Sequence, residues 1–295
     1  CLGYTLLRSG PPVELAGRVV LVTGAGSGLG RCCALAFARG GCDVVLWDLS
    51  QADMDATQAL IKEASPGCHC ISQRVDVSDP EAVYKAAAEV QALLAPRHVS
   101  ILVNNAGVSG GGAPLLKADD ARVRATFGVN ALAHVWTCKA FVPAMLEAGF
   151  GHVVTVASIA GLISTPGMVD YAASKAAAVS LTEGLRRELR EWHGTAVRTS
   201  LVCPAHISTP LFSGFNQLLP SLEPGYVADQ VVDSVRHRRE MLTLPRMTNP
   251  TLAKGLLPVA VLDTACRWLG FGNMMNGVDT AHGTDRVRMM ASSKL

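Results

Sequence analysis

A chain of 295 residues that is 49% hydrophobic, 17% charged and 5% aromatic can bury a large core of Ala, Val and Leu, which excludes global disorder. The formal net charge is only +2 and the basic residues are scattered apart from RHRR at 236–239, so the electrostatic footprint of a nucleic-acid binder is missing. Nine cysteines, an odd number without metal-ligand spacing, point to a reduced intracellular protein with no metal site.

The chain opens at Cys1 rather than Met, so residues 1–14 read as an N-terminal extension that leaves room for an upstream anchor. RVVLVTG (18–24) is apolar without polar alternation, the pattern of a buried strand, and a glycine-rich turn follows it. GLGRCCALAFARGG (28–41) reads as a helix closed by a glycine pair, and CDVVLWDLS as the second strand. A helix QADMDATQALIKEAS, a strand CHCISQRVDVS and a helix with Asp79 as N-cap and Pro80 at its first position come next. The strand VSILVNNAG, a long helical region over 119–148, the strand HVVTVAS, a helix from Val169 to Trp192 and the strand AVRTSLVCP complete the regular series. Alternating strands and helices imply parallel pairing with right-handed crossovers. The expected fold is therefore α/β: a Rossmann-like, doubly wound parallel sheet with helices on both faces, one domain over 15–250.

After Pro204 the pattern loosens. The stretch 206–223 places Leu211, Phe212, Phe215, Leu218, Leu219 and Leu222 among prolines and glycines, and reads as a lid over an apolar pocket; a loop packed on the core is the plainer alternative. RHRR reads as a solvated helix end. The C-terminal extension, 251–295, contains an amphipathic stretch at 255–275 suited to a membrane surface, the core or a second subunit. No apolar run reaches the ~18 residues needed to span a bilayer. The chain ends in Ser293-Lys294-Leu295, which matches a peroxisomal address.

The turn between the first strand and helix reads T-G-x-x-x-G-x-G through Gly24, Gly28 and Gly30. There, backbone N–H groups and the helix dipole can hold a pyrophosphate, and glycines permit the close approach; Ser27 and Leu29 lie in the same loop. Asp48 ends the second strand, 18 residues after Gly30, where an acidic side chain would accept the ribose hydroxyls and repel a 2′-phosphate. NAD is thus expected rather than NADP. Asp76 and Val77 are placed to border the adenine, while NNAG, with Asn104, Ala106 and Gly107, either stabilises the sheet or lines the groove.

TGAGSGLG, NNAG, Asn130, Ser158 and YAASK, in that order and spacing, resemble the short-chain dehydrogenase/reductase family over roughly 15–250. VLWDLS, SILVNNAGV, VNALAHVWTCKAFVPAM and GHVVTVAS are similar to its retinol and hydroxysteroid dehydrogenase branch. The resemblance implies Tyr171 as the acid/base toward the substrate oxygen, with Lys175 lowering its pKa and holding the nicotinamide ribose. It further implies Ser158 orienting the substrate and Asn130 holding a water that links Lys175 to solvent. Pro204, at the end of the sixth strand, is carried over as a cofactor residue, and the Ile207 N–H and Thr209 hydroxyl after it as carboxamide contacts, although Ala205 replaces the family's glycine there. His206 reads as a surface loop histidine.

These residues together predict hydride transfer between NAD and a lipophilic alcohol or ketone such as a retinoid, steroid or fatty alcohol. The rivals are an NADPH-dependent carbonyl reductase and a non-catalytic nucleotide-binding protein of a lipid surface. The resemblance also implies a homo-oligomer and location at the endoplasmic reticulum or lipid droplets, against the peroxisome suggested by Ser-Lys-Leu.

Overall fold

The computed structural model describes residues 11–209, 220–246, 248, 256 and 258–268. Most of the lid residues and the Ser-Lys-Leu end lie outside this set. Seven strands form one parallel sheet: β1 Val19–Thr23, β2 Asp43–Asp48, β3 Cys70–Arg74, β4 Ile101–Asn104, β5 Gly151–Val156, β6 Val197–Pro204 and β7 Met241–Leu244. Their order is β3-β2-β1-β4-β5-β6-β7, so the direction of winding reverses between β1 and β4. Open α/β sheets bind ligands at the carboxyl ends of the strands flanking such a reversal.

Strand alternation sends Val20, Val22, Val44 and Leu46 to one face, where α1 (Gly28–Arg39), α2 (Gln51–Ala64) and α7 (Pro224–Arg236) cover them. Val19, Leu21, Val45 and Trp47 face the other side, under α3 (Pro80–Leu94), α5 (Ala133–Glu147) and the distal part of α6 (Val169–His193). Both faces are dry, which is why these strands read as unbroken apolar runs.

Two features go beyond the sequence expectation. The regular series continues past Pro204, with α7 and β7 completing the sheet. The helical region expected over 119–148 is present, and a π turn is set within it: α4 spans Asp120–Phe127, and the π turn over Gly128–Leu132 leads into α5. Single π turns inside helices are frequent at functional sites, and this one carries the fully buried Asn130. β3 also ends at Arg74, so Asp76 and Val77 lie beyond it. The last described helix, α8, is Val259–Trp268.

Candidate active site

The glycine loop is shaped by two left-handed residues, Gly24 at φ 67° and Gly28 at φ 52°. Gly30 lets α1 approach β1 closely: a Cβ there would overlap the Gly24 carbonyl oxygen and stand 2.6 Å from Asn105 Nδ2. Ser27 is the extended residue before α1, its hydroxyl makes no capping bond, and the first turn of α1 has no acidic side chain. The amino end of the helix is therefore left to attract an anion.

Asp48 fixes the other wall. Its buried carboxylate accepts from Gly26 N–H at 2.9 Å and Ser50 N–H at 3.2 Å. Arg31, on the first turn of α1, turns its guanidinium to Gly26 O, Thr57 Oγ1 and Asp53 O.

NNAG closes the loop from the β4 side. The N–H groups of Asn105 and Ala106 each donate to Thr23 Oγ1 at 3.0 Å, and Asn105 Nδ2 donates to Thr23 O at 2.9 Å. Asn104 points elsewhere: it is buried, its Oδ1 accepts from Thr137 Oγ1 at 2.7 Å and its Nδ2 faces Cys138 Sγ. The two expected roles of the motif are thus divided between adjacent residues, with Asn104 pinning α5 and Asn105 bracing the loop. Thr209, after β6, comes back over the same loop, since a Cβ on Gly28 would lie 3.4 Å from its Cγ2.

Pro204 and Ile207 position this return. Ala205 N–H donates to Leu244 O at 2.7 Å, and Ile207 bridges to Leu222. His206 is half-buried, with Nδ1 3.0 Å from Ser221 Oγ, rather than a surface loop residue. Asp76 Oδ1 accepts from the N–H and hydroxyl of Ser78, and Val77 is buried against the sheet, so their side chains build the turn after β3.

The second half of the site sits on β5 and α6. Ser158 follows β5 and caps a short turn, Ile159–Gly161, accepting from Ala160 N–H at 3.1 Å. Gly161 presses this turn onto α6, where a Cβ would come 2.7 Å from the Lys175 carbonyl carbon. Tyr171 and Lys175, four residues apart on α6, share one face, with Lys175 Nζ 6.0 Å from the Tyr171 ring centre. Both are buried. Burial pushes the Tyr171 phenol up to about 12, against a hydrogen bond with Ser158 that favours the phenolate. Burial also pulls Lys175 down to about 8, and the nearby Cys203 thiol opposes that shift.

Lys175 Nζ donates to Val156 O at 2.9 Å. Asn130 Nδ2 donates to Val108 O and Ser174 Oγ, and its Oδ1 accepts from Val108 N–H. Its first task is therefore to lock the loop after β4 against α6. A Cβ on Gly107 would stand 3.4 Å from Asn130 Oδ1 and 3.5 Å from Lys175 Nζ, so Gly107 faces the point where these groups converge. Sequence reasoning missed Gly161 and Cys203, whose roles are tertiary. It also missed Asp170, a buried carboxyl against which Gly110 packs too closely for any Cβ.

A glycine cradle at a helix amino end, an acidic residue on β2 and a Ser-Tyr-Lys cluster across the crevice fit a dinucleotide with a reacting ring. The family model for short chain dehydrogenases matches residues 18–218. The chain belongs to that family. Within it, the chain is similar to the retinol dehydrogenase branch: it is 37% identical to mouse epidermal retinol dehydrogenase 2 over 274 residues, 91% of this chain and 87% of that protein. A short-chain dehydrogenase from Burkholderia phymatum, solved with NAD, superposes with a TM-score of 0.72 at 32% identity, covering 86% of this chain and 96% of its own. A metagenomic short-chain oxidoreductase solved with NADP gives 0.67 at 30% identity, covering 79% and 97%. Both of these solved relatives hold a nicotinamide dinucleotide, and the glycine cradle and Asp48 of this chain fit a group of that chemistry. Among the described residues there is no metal-binding cluster and no helix long and apolar enough to cross a membrane.

Proposed function

We propose that this dehydrogenase oxidises a lipophilic alcohol, reversibly, with NAD. The observation that carries the proposal is the buried Tyr171–Lys175 pair, one helical turn apart, hydrogen-bonded through Tyr171 to Ser158 and set beside the glycine cradle. Gly24, Ser27, Gly28, Leu29 and Gly30 hold the pyrophosphate on the amino end of α1, and Asp48 takes the adenosine ribose hydroxyls. Asp76 and Val77 border the adenine, while Asn104, Ala106, Gly107, Pro204, Ile207 and Thr209 line the rest of the groove, Asn104 through its backbone.

The bound nicotinamide supplies the hydride acceptor, or the donor in reverse. Ser158 hydrogen-bonds the substrate oxygen and holds it toward Tyr171. Tyr171 as phenolate takes the hydroxyl proton as the carbinol carbon gives up its hydride, leaving a carbonyl. The Lys175 ammonium favours that phenolate and donates to the nicotinamide ribose. Asn130 holds Val108 and α6 in place, and its convergence with Lys175 on Gly107 supports a proton path there.

The relatives' retinol names and the apolar residues of the 206–223 stretch support a retinoid, steroid or fatty alcohol as substrate. The exposed Leu132, Leu181 and Trp192 suit a homo-oligomer. On α8, Val259, Val261 and Trp268 are also exposed, which supports contact with a membrane or lipid-droplet surface.

Tyr171→Phe is expected to lower turnover of a retinol, steroid and fatty-alcohol panel by roughly 10²–10⁴-fold, with NAD binding by fluorescence titration nearly unchanged. Retained turnover would sink the assignment. The NADP complex of a relative keeps an NADPH-linked carbonyl reductase as the second reading. Asp48 separates the two, because a carboxylate beside a 2′-phosphate repels it. Asp48→Ala is expected to move the NADP-to-NAD ratio of kcat/KM upward by about tenfold or more, since each ~1.4 kcal/mol of relieved repulsion is tenfold. A parent enzyme that already prefers NADPH would transfer the assignment to the reductase.

A further inference from the structure

RHRR at 236–239 takes no part in the dinucleotide site. β6 begins at Val197, but β7 pairs with it only from Leu201↔Met241 onward. The outer side of the start of β6 therefore has no strand neighbour, and the segment 237–240 borders the notch. This is the amino end of the sheet, opposite the crevice.

Arg186 and Arg190, one turn apart on α6, meet Arg198 and Thr199 of β6 and Arg238 and Glu240 of the turn around this notch. Glu240 accepts from Arg186 at 2.6 Å and from Arg190. Among the residues that line the notch, one carboxylate thus faces four guanidinium groups, of which Arg238 also donates to Pro11 O at 3.4 Å. Asp233 does not redress that imbalance, being engaged by His237 at 2.6 Å and Arg239 at 2.7 Å. Besides burial, the charges of Arg238 and Arg190 lower the Arg198 pKa, a sign of cations held close together.

A second, independent observation is Thr199. It is 3% exposed, it lines the notch, and its hydroxyl has no hydrogen-bond partner among the described residues. Buried hydroxyls are nearly always paired. The wall behind it is rigid: Ser200 Oγ donates to Arg239 O at 2.5 Å, which makes the buried His152 Nε2, 2.8 Å away, the donor to Ser200. Arg238 is held at φ 52°, where a side chain is disfavoured, and sparsely populated backbone conformations of this kind collect at ligand clamps.

We propose that this notch binds a dianionic phosphate group, with Arg190, Arg198 and Arg238 on its oxygens and the Thr199 hydroxyl donating to it. Guanidinium forks match phosphate oxygens in pairs. The phosphate belongs either to a soluble phosphate ester or to a lipid headgroup. The site is separate from the dinucleotide crevice and stands independently of the reading given to it.

The test uses the full chain saturated with NADH, so that the glycine cradle is filled. One arm titrates glycerol 3-phosphate calorimetrically; the other floats the protein on phosphatidylcholine vesicles with and without phosphatidic acid. Binding in either arm, weakened roughly tenfold or more by Arg198→Gln and by Arg238→Gln, is expected, and the responding arm identifies the source. Thr199→Val removes a hydroxyl with no partner among the described residues, so it is expected to leave the thermal midpoint unchanged or raised while weakening phosphate binding. Binding in neither arm, equal binding by parent and variants, or a Thr199→Val protein that melts lower yet binds as tightly would overturn the proposal.

Discussion

Lys175 brings a charge into a place that resists it. The residue is 3% exposed, its ammonium donates to Val156 O at 2.9 Å, and burial lowers its pKa from 10.5 to about 8. Below about pH 8 the lysine is charged in both the folded and unfolded chain, so the folded state carries the full desolvation cost. Between about 8 and 10.5 the unfolded chain binds a proton that the folded chain does not, and the cost fades as pH rises. Lys175→Met is therefore expected to stabilise the cofactor-free protein at pH 7 by on the order of 1 kcal/mol, the relief from burial being offset in part by the lost bond to Val156. Urea unfolding should show that advantage shrinking toward pH 10.5, while turnover is lost at every pH; a destabilised variant at pH 7 would show that the ammonium is well solvated by its partners. Tyr171 is the complement. With its phenol pushed by burial to about 12, it rests protonated, and the proposed reaction relies on the Lys175 ammonium and the positive charge of an oxidised nicotinamide to favour the phenolate.

Glycine roles separate at the level of elements. Gly30 sits where α1 crosses β1 with no space for a Cβ, whereas Gly184, inside α6, has nothing within 4 Å. Gly30→Ala is expected to cost about 1–3 kcal/mol by overpacking and to abolish cofactor binding. Gly184→Ala should instead stabilise by about 0.5–1 kcal/mol through helix propensity. Thermal melts of the pair check both signs together. The same contrast marks what the sequence makes legible. β1, β2, β4, β5 and β6 are buried on both faces, so their apolar runs declare themselves, and the glycine spacing marks the turn after β1. The π turn does not declare itself, because Asn130 is turned inward by bonds to Val108 and Ser174, both remote in sequence. α7 and β7 were unread because a helix of Val227, Val231 and Val235 is poor in helix formers, and a four-residue strand is too short for a period. Asn104 and Asn105 look interchangeable in a string, yet strand alternation sends them to opposite sides, one to Thr137 and the other to Thr23.

At the scale of the whole molecule, two buried histidines set the acid limit of the fold. His134, beside Lys175, and His152, beside Arg198 and Arg238, are pushed by burial and neighbouring positive charge to about 3. Both are neutral in the folded state throughout the range in which an unfolded histidine, near 6.5, takes up its proton. As pH falls from 6.5 toward 3 the unfolded chain binds two protons that the folded chain refuses, so stability is lost, approaching about 3 kcal/mol per pH unit for the pair. That is steep against the roughly 5–15 kcal/mol that holds a domain together. The carboxylate contribution comes later: Glu240, held below 4.5 by Arg186 and Arg190, loses its stabilising charge only as pH passes under that value. His134 allows the histidine effect to be isolated, because neither ring nitrogen has a partner among the described residues and an apolar replacement strands nothing in the protein. Urea unfolding of His134→Phe and the parent at pH 7.5, 6.0 and 5.0 is expected to give curves that diverge in the variant's favour below about 6.5, with close to half of the parent's histidine slope removed. Curves that stay parallel would mean that His134 carries its proton inside the folded protein, where the charge of Lys175 opposes it.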